Sequence, residues 1–591
     1  MPEIQPPAGN QPPRGNQPPP GSQPPHGSQP PHSSQPPHSS RPPHGSQPPG
    51  AWPSDPAWFN APGPAGAATA TATRLPPALK NPIGPPTEHG PWPSDLLWGK
   101  QWPGPARSAP AATVVAIAIA AVVAAISLPL DRAGVGWLVM AVAGTVALVI
   151  SAILPEPPAS GPSPLVVRPR PKRSVDAYGW AGLTVALVAV GTFRSAGWLF
   201  ALCLLMATLT GALALTGGRS MRSIVAGYTM PLIAVFRALP WLRHGTTRLR
   251  GRIGGGTANV RVLATVVVSI ALLTVFGALF ASADAAFAGA LSHLAPDVDV
   301  PSAFRWIFVF ALAVALFGGA AFLRTAPPDL TGLDGTEGRK VARFEWAVPL
   351  GLLVLLFAGF VAVQLAVLFG GNRHVLDTDG LTFAEYARGG FWQLCFVTGL
   401  TLVVLAGAAR WAPREKPADR LLLRVLMGAL AGLTLLIVAS ALHRMNVYAD
   451  TYGLTRLRLL VACCEGWFGL VLVLVLIAGI RIRAPWLPRV AIAAGVLALL
   501  GLAGANPDRV IAEHNIKQSR TLDVAYLGTL SPDAATGLDG LDSARRRCVL
   551  AHLDIALLES PDDWRGWNLG RVRARTVIAD AGDVSQTWQC P

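Results

Sequence analysis

Residues 443–480 read HRMNVYADTYGLTRLRLLVACCEGWFGLVLVLVLIAGI. A polar stretch with two tyrosines and three arginines runs directly into a long apolar run interrupted by one carboxylate, Glu465. A helix needs roughly 20 apolar residues to cross about 30 Å of hydrocarbon. The second half of the stretch is long enough for that, and the first half is the edge where such a helix meets water.

Working outward, runs of this kind recur at about 111–130, 133–154, 177–193, 195–217, 262–283, 303–323, 344–370, 389–409, 421–442, 457–480 and 486–503. Inside a bilayer the backbone must satisfy its own polar groups, so each run is expected to be an α-helix. The expectation is an all-α, polytopic transmembrane bundle of about eleven spans, preceded by a disordered Pro-rich tail and followed by a small α-helical domain. Composition agrees: of 591 residues, 51% are hydrophobic and 14% charged, against about a quarter charged in soluble domains. The net charge of +15 sits mostly in short loops between spans, which points to membrane topology and away from nucleic acid.

Cytoplasmic loops carry the excess of Arg and Lys. With the amino terminus inside, the inner segments hold Arg168, Arg170, Lys172 and Arg173, then Arg219 to Arg261, then Arg339, Lys340 and Arg343, then Arg410 to Arg424, then Arg481, Arg483 and Arg489. The outer segments hold few. Lysine is nearly absent beside arginine, which with 60 Gly and 55 Pro looks like a high-GC bacterial coding bias, so the predicted protein is multi-pass in a bacterial plasma membrane, N-terminus cytoplasmic and C-terminus extracytoplasmic. Five segments follow: a tail (1–108), four spans (109–217), a basic amphipathic or re-entrant segment (218–261), a core bundle (262–503) and a soluble helical domain (504–591). Pro231, Pro240 and Arg237 argue against a clean span within 218–261.

The tail repeats QPPHGS, placing His26, His32, His38 and His44 six apart; in a polyproline II helix these sit about 19 Å apart, too far for one metal ion. WPSDPAW at Trp52–Trp58 returns as WPSDLLW at Trp92–Trp98, either a docking motif for a protein partner, an interfacial anchor, or duplicated low-complexity sequence. The expected partners are the lipid bilayer and a protein bound by this tail, with no nucleic acid. In the C-terminal domain three triplets, Asn506-Pro507-Asp508, Ser531-Pro532-Asp533 and Ser560-Pro561-Asp562, read as helix starts: a capping residue, proline at the first position and an acid favoured by the dipole. A longer helix is expected over about Leu541 to Leu558. If the domain is extracytoplasmic, a disulfide between Cys548 and Cys590 is permitted; two unpaired thiols are the alternative.

The polar residues available for chemistry gather on the expected outer side: Asp284; Glu385, Tyr386 and Arg388; then His443, Arg444, Tyr448, Tyr452, Arg456 and Arg458, with Glu465 inside the tenth span. Arg444, Tyr448, Tyr452 and Arg456 are four apart and form a helical stripe unless Gly453 breaks it. Arg456 and Arg458 are expected to reach Asp284, Glu385 or Glu465. Ionisable residues in a membrane are functional candidates, although ion pairs that fix helix register look the same in sequence. Gly428 and Gly432 read as a helix-packing pair. No nucleotide, metal or hydrolase motif appears, so no catalytic residue, metal site or cofactor is assigned.

Several ordered stretches, FGALFASADAAF, FAEYARGGFWQL, YGLTRLR, NPDRVIAEHNI, LDVAYLGTLSPDA and WNLGRVRAR, resemble the uncharacterised bacterial membrane family called domain of unknown function 4173, with its sibling 4153, over about residues 260–580. Gly389 and Gln393 stand where that family leads one to expect a basic and an acidic residue. The resemblance implies a polytopic fold and supplies no catalytic assignment. Three readings stay open: an envelope-associated signalling or scaffolding protein, a transporter of an ion, proton or small anionic solute, and a membrane-embedded transferase acting on lipid-linked substrate through His443, Asp284 or Glu385. An enzyme is the less favoured of these classes.

Overall fold

The computed structural model describes residues 108–153, 175–253, 300–334, 341–369, 391–481, 484–518, 522–559 and 561–582, with scattered positions at 102–105, 265–284 and 584. Among the described residues the regular structure is all helical, with no strand. The elements are α1 (Ala111–Ser127), α2 (Val135–Ile153), α3 (Val175–Phe193), α4 (Gly197–Thr216), α5 (Met221–Ile253), α6 (Val300–Thr325), α7 (Arg343–Phe369), α8 (Phe391–Trp411), α9 (Pro417–Tyr452), α10 (Arg456–Arg481) and α11 (Leu487–Ala505). A C-terminal cap follows: α12 (Pro507–Gln518), α13 (Val524–Gly528), a 3-10 helix (Pro532–Gly537), α14 (Ser543–Leu558) and α15 (Leu569–Asp580).

Among the described residues ten helices, α2 to α11, are long and apolar enough to cross a membrane, and α1 is a shorter apolar helix of 17 residues. Their outer faces are apolar as well: Leu352, Leu355 and Leu356 of α7 and Leu400 and Val403 of α8 are exposed. A soluble monomer rarely leaves so much contiguous apolar surface uncovered, whereas a bilayer covers it. The expected span at 262–283 lies largely outside the described residues.

Hydrogen bonds at the helix ends sort the loops into two ends of the bundle. At one end the cap touches the α1–α2 turn, the α3–α4 turn and the α9–α10 turn: Asn568 Nδ2 donates to Gly191 O and Arg194 O, and Leu454 N donates to Asn515 Oδ1. At the other, basic end, Arg489 donates to Gly217 O and Gly218 O and pairs with Asp176, Arg343 pairs with Asp419, and Arg424 donates to Gly479 O and Ile480 O. Arg489 and Arg424 thus meet carbonyls at helix C-terminal ends, which have no partner within their own helix. The beginning of α6 belongs to the cap end, since Val309 and Ala313 pack on Ala121, Ala124 and Leu128, and the charge of Arg305 acts on Asp131.

α5 is one continuous helix of 33 residues despite Pro231 and Pro240. Its two ends nevertheless meet the same, basic end of the bundle. At its start Ser220 Oγ donates to Leu333 O and Gly227 lies against Thr216; near its finish Ala109 N donates to Trp241 O, just before α1 begins. Between them it crosses α6 at Gly319, where an added Cβ would lie 3.0 Å from Val235 N. Arg237 is buried there, donating to Trp102 O with its guanidinium 4.9 Å from the Trp102 ring. The opposite face of α5, with Val225, Leu232, Phe236 and Leu239, is exposed and apolar. The contacts near Trp241 lie at the basic end, and α6 starts at the cap end.

The cap has its own core, in which Ile511, Leu527, Leu538, Val549 and Leu550 are fully buried. Two of the three expected helix starts occur, at Pro507 and Pro532, the latter as a 3-10 helix. The third does not: Pro561 is followed by a turn, and α15 starts at Leu569, capped by Asn568, whose side chain accepts from Arg571 N. Asp562 is drawn instead into ion pairs with Arg571 and Arg575. The expected long helix is present as α14, capped by Asp542. Gly428 and Gly432 are not a packing pair, because nothing lies within 4 Å of a Cβ built at either; α9 packs on α7 and α10 through Leu423, Leu430 and Ile437.

Candidate functional site at the junction of cap and bundle

The aspartates of the three Pro-Asp triplets hold the cap to the bundle. Asp508, wholly buried, receives Arg456 in a two-pronged ion pair, Nε to Oδ1 at 3.1 Å and NH2 to Oδ2 at 2.6 Å. It also accepts from Ser531 N at 2.8 Å and from Trp198 Nε1 of α4 at 3.3 Å. Burial works to raise this carboxyl, but the hydrogen bonds and charge of Arg456, with the Ser531 contacts, outweigh it and hold Asp508 below the ordinary aspartate range.

Asp533 is 2% exposed, and its Oδ2 accepts from Ser195 N at 2.7 Å and Ala196 N at 3.1 Å. Those are the amides of the two residues just before α4, so a residue of the cap holds the lead into that helix. Burial is the strongest influence here and pushes the Asp533 carboxyl up, against the Ser195 contacts and the charge of Arg194. Its second oxygen, Oδ1, has no hydrogen-bond partner. Gly570 permits this position: a Cβ there would sit 1.9 Å from Asp533 Oδ1. Asp562 completes the set, 3.5 Å from Arg132 in the α1–α2 turn, while Arg571 NH2 donates to Ala133 O.

The junction absorbs part of the polar cluster expected from sequence and leaves the rest apart. Arg456 does not reach Asp284, Glu385 or Glu465; it goes to Asp508, fifty-two residues along the chain. The expected stripe breaks at Gly453, whose φ of 77° ends α9, so Arg444, Tyr448 and Tyr452 stay on α9 and Arg456 opens α10. Arg458 turns back over the break, donating to Tyr452 O and Gly453 O with its guanidinium 4.4 Å from the Tyr448 ring, which itself lies 4.7 Å from Tyr452. Arg444 and Ser440 both donate to Gln364 Oε1 of α7. His443 is exposed on α9, and Asp284 is exposed with its N–H donating to Phe280 O. Glu385, Tyr386 and Arg388 lie outside the described residues.

Glu465 lies apart from the junction, within α10. It is 1% exposed, neither carboxylate oxygen has a hydrogen-bond partner, and the polar group beside it is the Cys395 thiol of α8. Of the cysteines, Cys203, Cys395, Cys463 and Cys464 are free. Cys548 is buried in the cap and disulfide-bonded, and Cys590 lies outside the described residues.

In the sequence Asp508, Asp533 and Asp562 read as ordinary helix punctuation, and Asn568 carries no signal of its own. The available signal was the triplet occurring three times with an acid always in third place.

A bundle of apolar helices locked to a polar helical cap defines the class: an integral, multi-pass membrane protein. Within that class the chain belongs to the family described as a domain of unknown function (DUF4153), whose model matches residues 182–541. The match is to the sibling of the family named first from the sequence, and it begins earlier, within α3, and ends within the cap. No curated protein and no solved structure matches the chain.

Proposed function

We propose that this membrane protein is an envelope-associated signalling or scaffolding protein of a bacterial plasma membrane, with its basic end and N-terminal segment cytoplasmic and its cap outside. The observation that carries the reading is the three-point docking of the cap. Asp508, Asp533 and Asp562 tie it to α10, to the start of α4 and to the α1–α2 turn, so a force or ligand on the cap is transmitted to the spans. Supporting the orientation are the arginines gathered at the other end and the disulfide at Cys548, which suits an oxidising compartment. Cys590 is the partner this reading assigns to it.

The test uses the full chain, purified from its native membrane with bound proteins identified. Deleting residues 1–100 is expected to remove a cytoplasmic partner. Asp508→Asn, although on the opposite side of the membrane, is expected to reduce the same partner's recovery while the protein stays inserted and folded. Full recovery in both variants would sink the reading.

One observation favours a second reading, transport of a proton, an ion or a small anionic solute. A buried carboxylate with no partner in the hydrocarbon region is costly, by several kcal/mol if charged, and Glu465 is such a group. Glu465→Gln is expected to abolish proton-coupled flux in proteoliposomes if this reading holds. Unchanged flux would eliminate it.

A further inference from the structure

Where α11 leaves the bundle and the cap begins, a polar pocket of about 270 Å³ opens between the α3–α4 turn, the end of α11, the 3-10 helix and α15. It is lined by three guanidinium groups, Arg194, Arg509 and Arg573, and one carboxylate, Asp533. The three arginines are differently placed. Arg194 is fixed as a wall, donating through Nε to Ala503 O at 2.5 Å and through NH2 to Gly504 O at 3.0 Å. Arg509 shares its charge with Glu513 at 2.6 Å, half exposed. Arg573 is exposed on α15 and has no ion-pair partner among the described residues.

Like charges converge here without enough acid to balance them, which is the arrangement that recognises a phosphate. At the floor is a different demand. Asp533 is among the residues that line the pocket; its Oδ2 takes the amides of Ser195 and Ala196, and its Oδ1, buried against Gly570, has no partner. A buried acceptor left without a donor costs about 1–3 kcal/mol, and a ligand bearing a hydroxyl beside its anionic oxygens removes that cost. The pocket falls just under the roughly 300 Å³ lower bound of drug-sized sites, so it suits a small group.

We propose that this pocket binds a phosphate group with an adjacent hydroxyl, the arginines taking the anionic oxygens and Asp533 Oδ1 accepting from the hydroxyl. The chemistry is shared by the glycerophosphate headgroup of phosphatidylglycerol and by free hydrogen phosphate. Both sources are within reach, since the pocket lies at the level where α11 ends and the cap begins. The inference rests on the cap being the part of the protein that reads its surroundings, and it gives that part a ligand.

The full-length protein in phosphatidylcholine nanodiscs is titrated with inorganic phosphate and with glycerol 3-phosphate, following thermal unfolding. In parallel, nanodiscs containing phosphatidylglycerol are examined by native mass spectrometry for retained lipid. Arg573→Ala is expected to weaken binding about tenfold, the loss of one charge-assisted contact. It removes a side chain that holds nothing else in place, so folding is expected to be preserved. Arg547→Ala, which deletes a positive charge from α14 of the cap outside this pocket, is expected to leave binding unchanged.

A response to the soluble anions identifies free phosphate as the source, and retention of phosphatidylglycerol alone identifies the headgroup; either supports the proposal if Arg573→Ala reduces it. No response to any probe, or equal losses in Arg573→Ala and Arg547→Ala, overturns it. Partner recovery after deletion of residues 1–100 does not depend on this pocket, so the ligand and the signalling role can fail separately.

Discussion

Asp508 and Asp533 are both buried aspartates behind a proline at a helix start, and their surroundings drive them in opposite directions. Asp508 has a cation on it; Asp533 has only amides and a more distant arginine. Removing one partner of a buried pair typically costs about 3–5 kcal/mol. Because Arg456 retains some exposure, Asp508→Asn is expected to cost about 3 kcal/mol, read as a lower unfolding temperature in nanodiscs. The pH dependence follows from the direction of the shift. A carboxyl lowered on folding contributes stability that is fully present above its unfolded value, near 3.9, and that is lost as pH falls through the lower folded value. Asp533, raised on folding, works the other way, its charged form being the disfavoured one. Asp508→Asn should therefore lose most stability at neutral pH and differ least from wild type in strong acid. A constant difference across that range would refute the pairing as the cause.

At the scale of elements, α5 carries the decision about topology. Hydropathy and length qualify Met221–Thr247 as a span, yet its contacts run from the end of α4 to the start of α1, both at the basic end. Its prolines fit this course, since a helix packed across its neighbours can have the freed carbonyls met by adjacent groups. We expect Met221→Cys and Thr247→Cys, each on a background with the four free thiols replaced by alanine, to react with a membrane-impermeant maleimide from the same side. Labelling from opposite sides would make α5 a crossing helix and invert every loop after it. The Pro-Asp triplets show the converse. Their local grammar is legible, and two of three start helices, but the sequence cannot say that the acid in third place looks outward to another element.

At the scale of the whole molecule, the proposed topology puts the cap outside the membrane. In intact cells Cys548 and Cys590 are expected to resist an impermeant maleimide until a reductant is added, then to label without lysis. Labelling only after lysis would put the cap in the cytoplasm and the junction with it. The spans themselves were readable because crossing a bilayer imposes a length and a polarity on consecutive residues, a one-dimensional signal. The alternation of basic loops is of the same kind, summed over short stretches.

Sequence by itself therefore determined an all-helical membrane bundle, its approximate boundaries and a separate helical domain after the last span. Tertiary structure alone decided that Arg456 meets Asp508, fifty-two residues on, and that Asp533 takes the amide of Ser195, 338 residues before it, at the lead into α4. The reason is physical. An arginine at the membrane edge is satisfied by any carboxylate at the same level, and several were available by composition. Which one it takes depends on how the cap seats on the bundle, a long-range packing choice that no local pattern encodes.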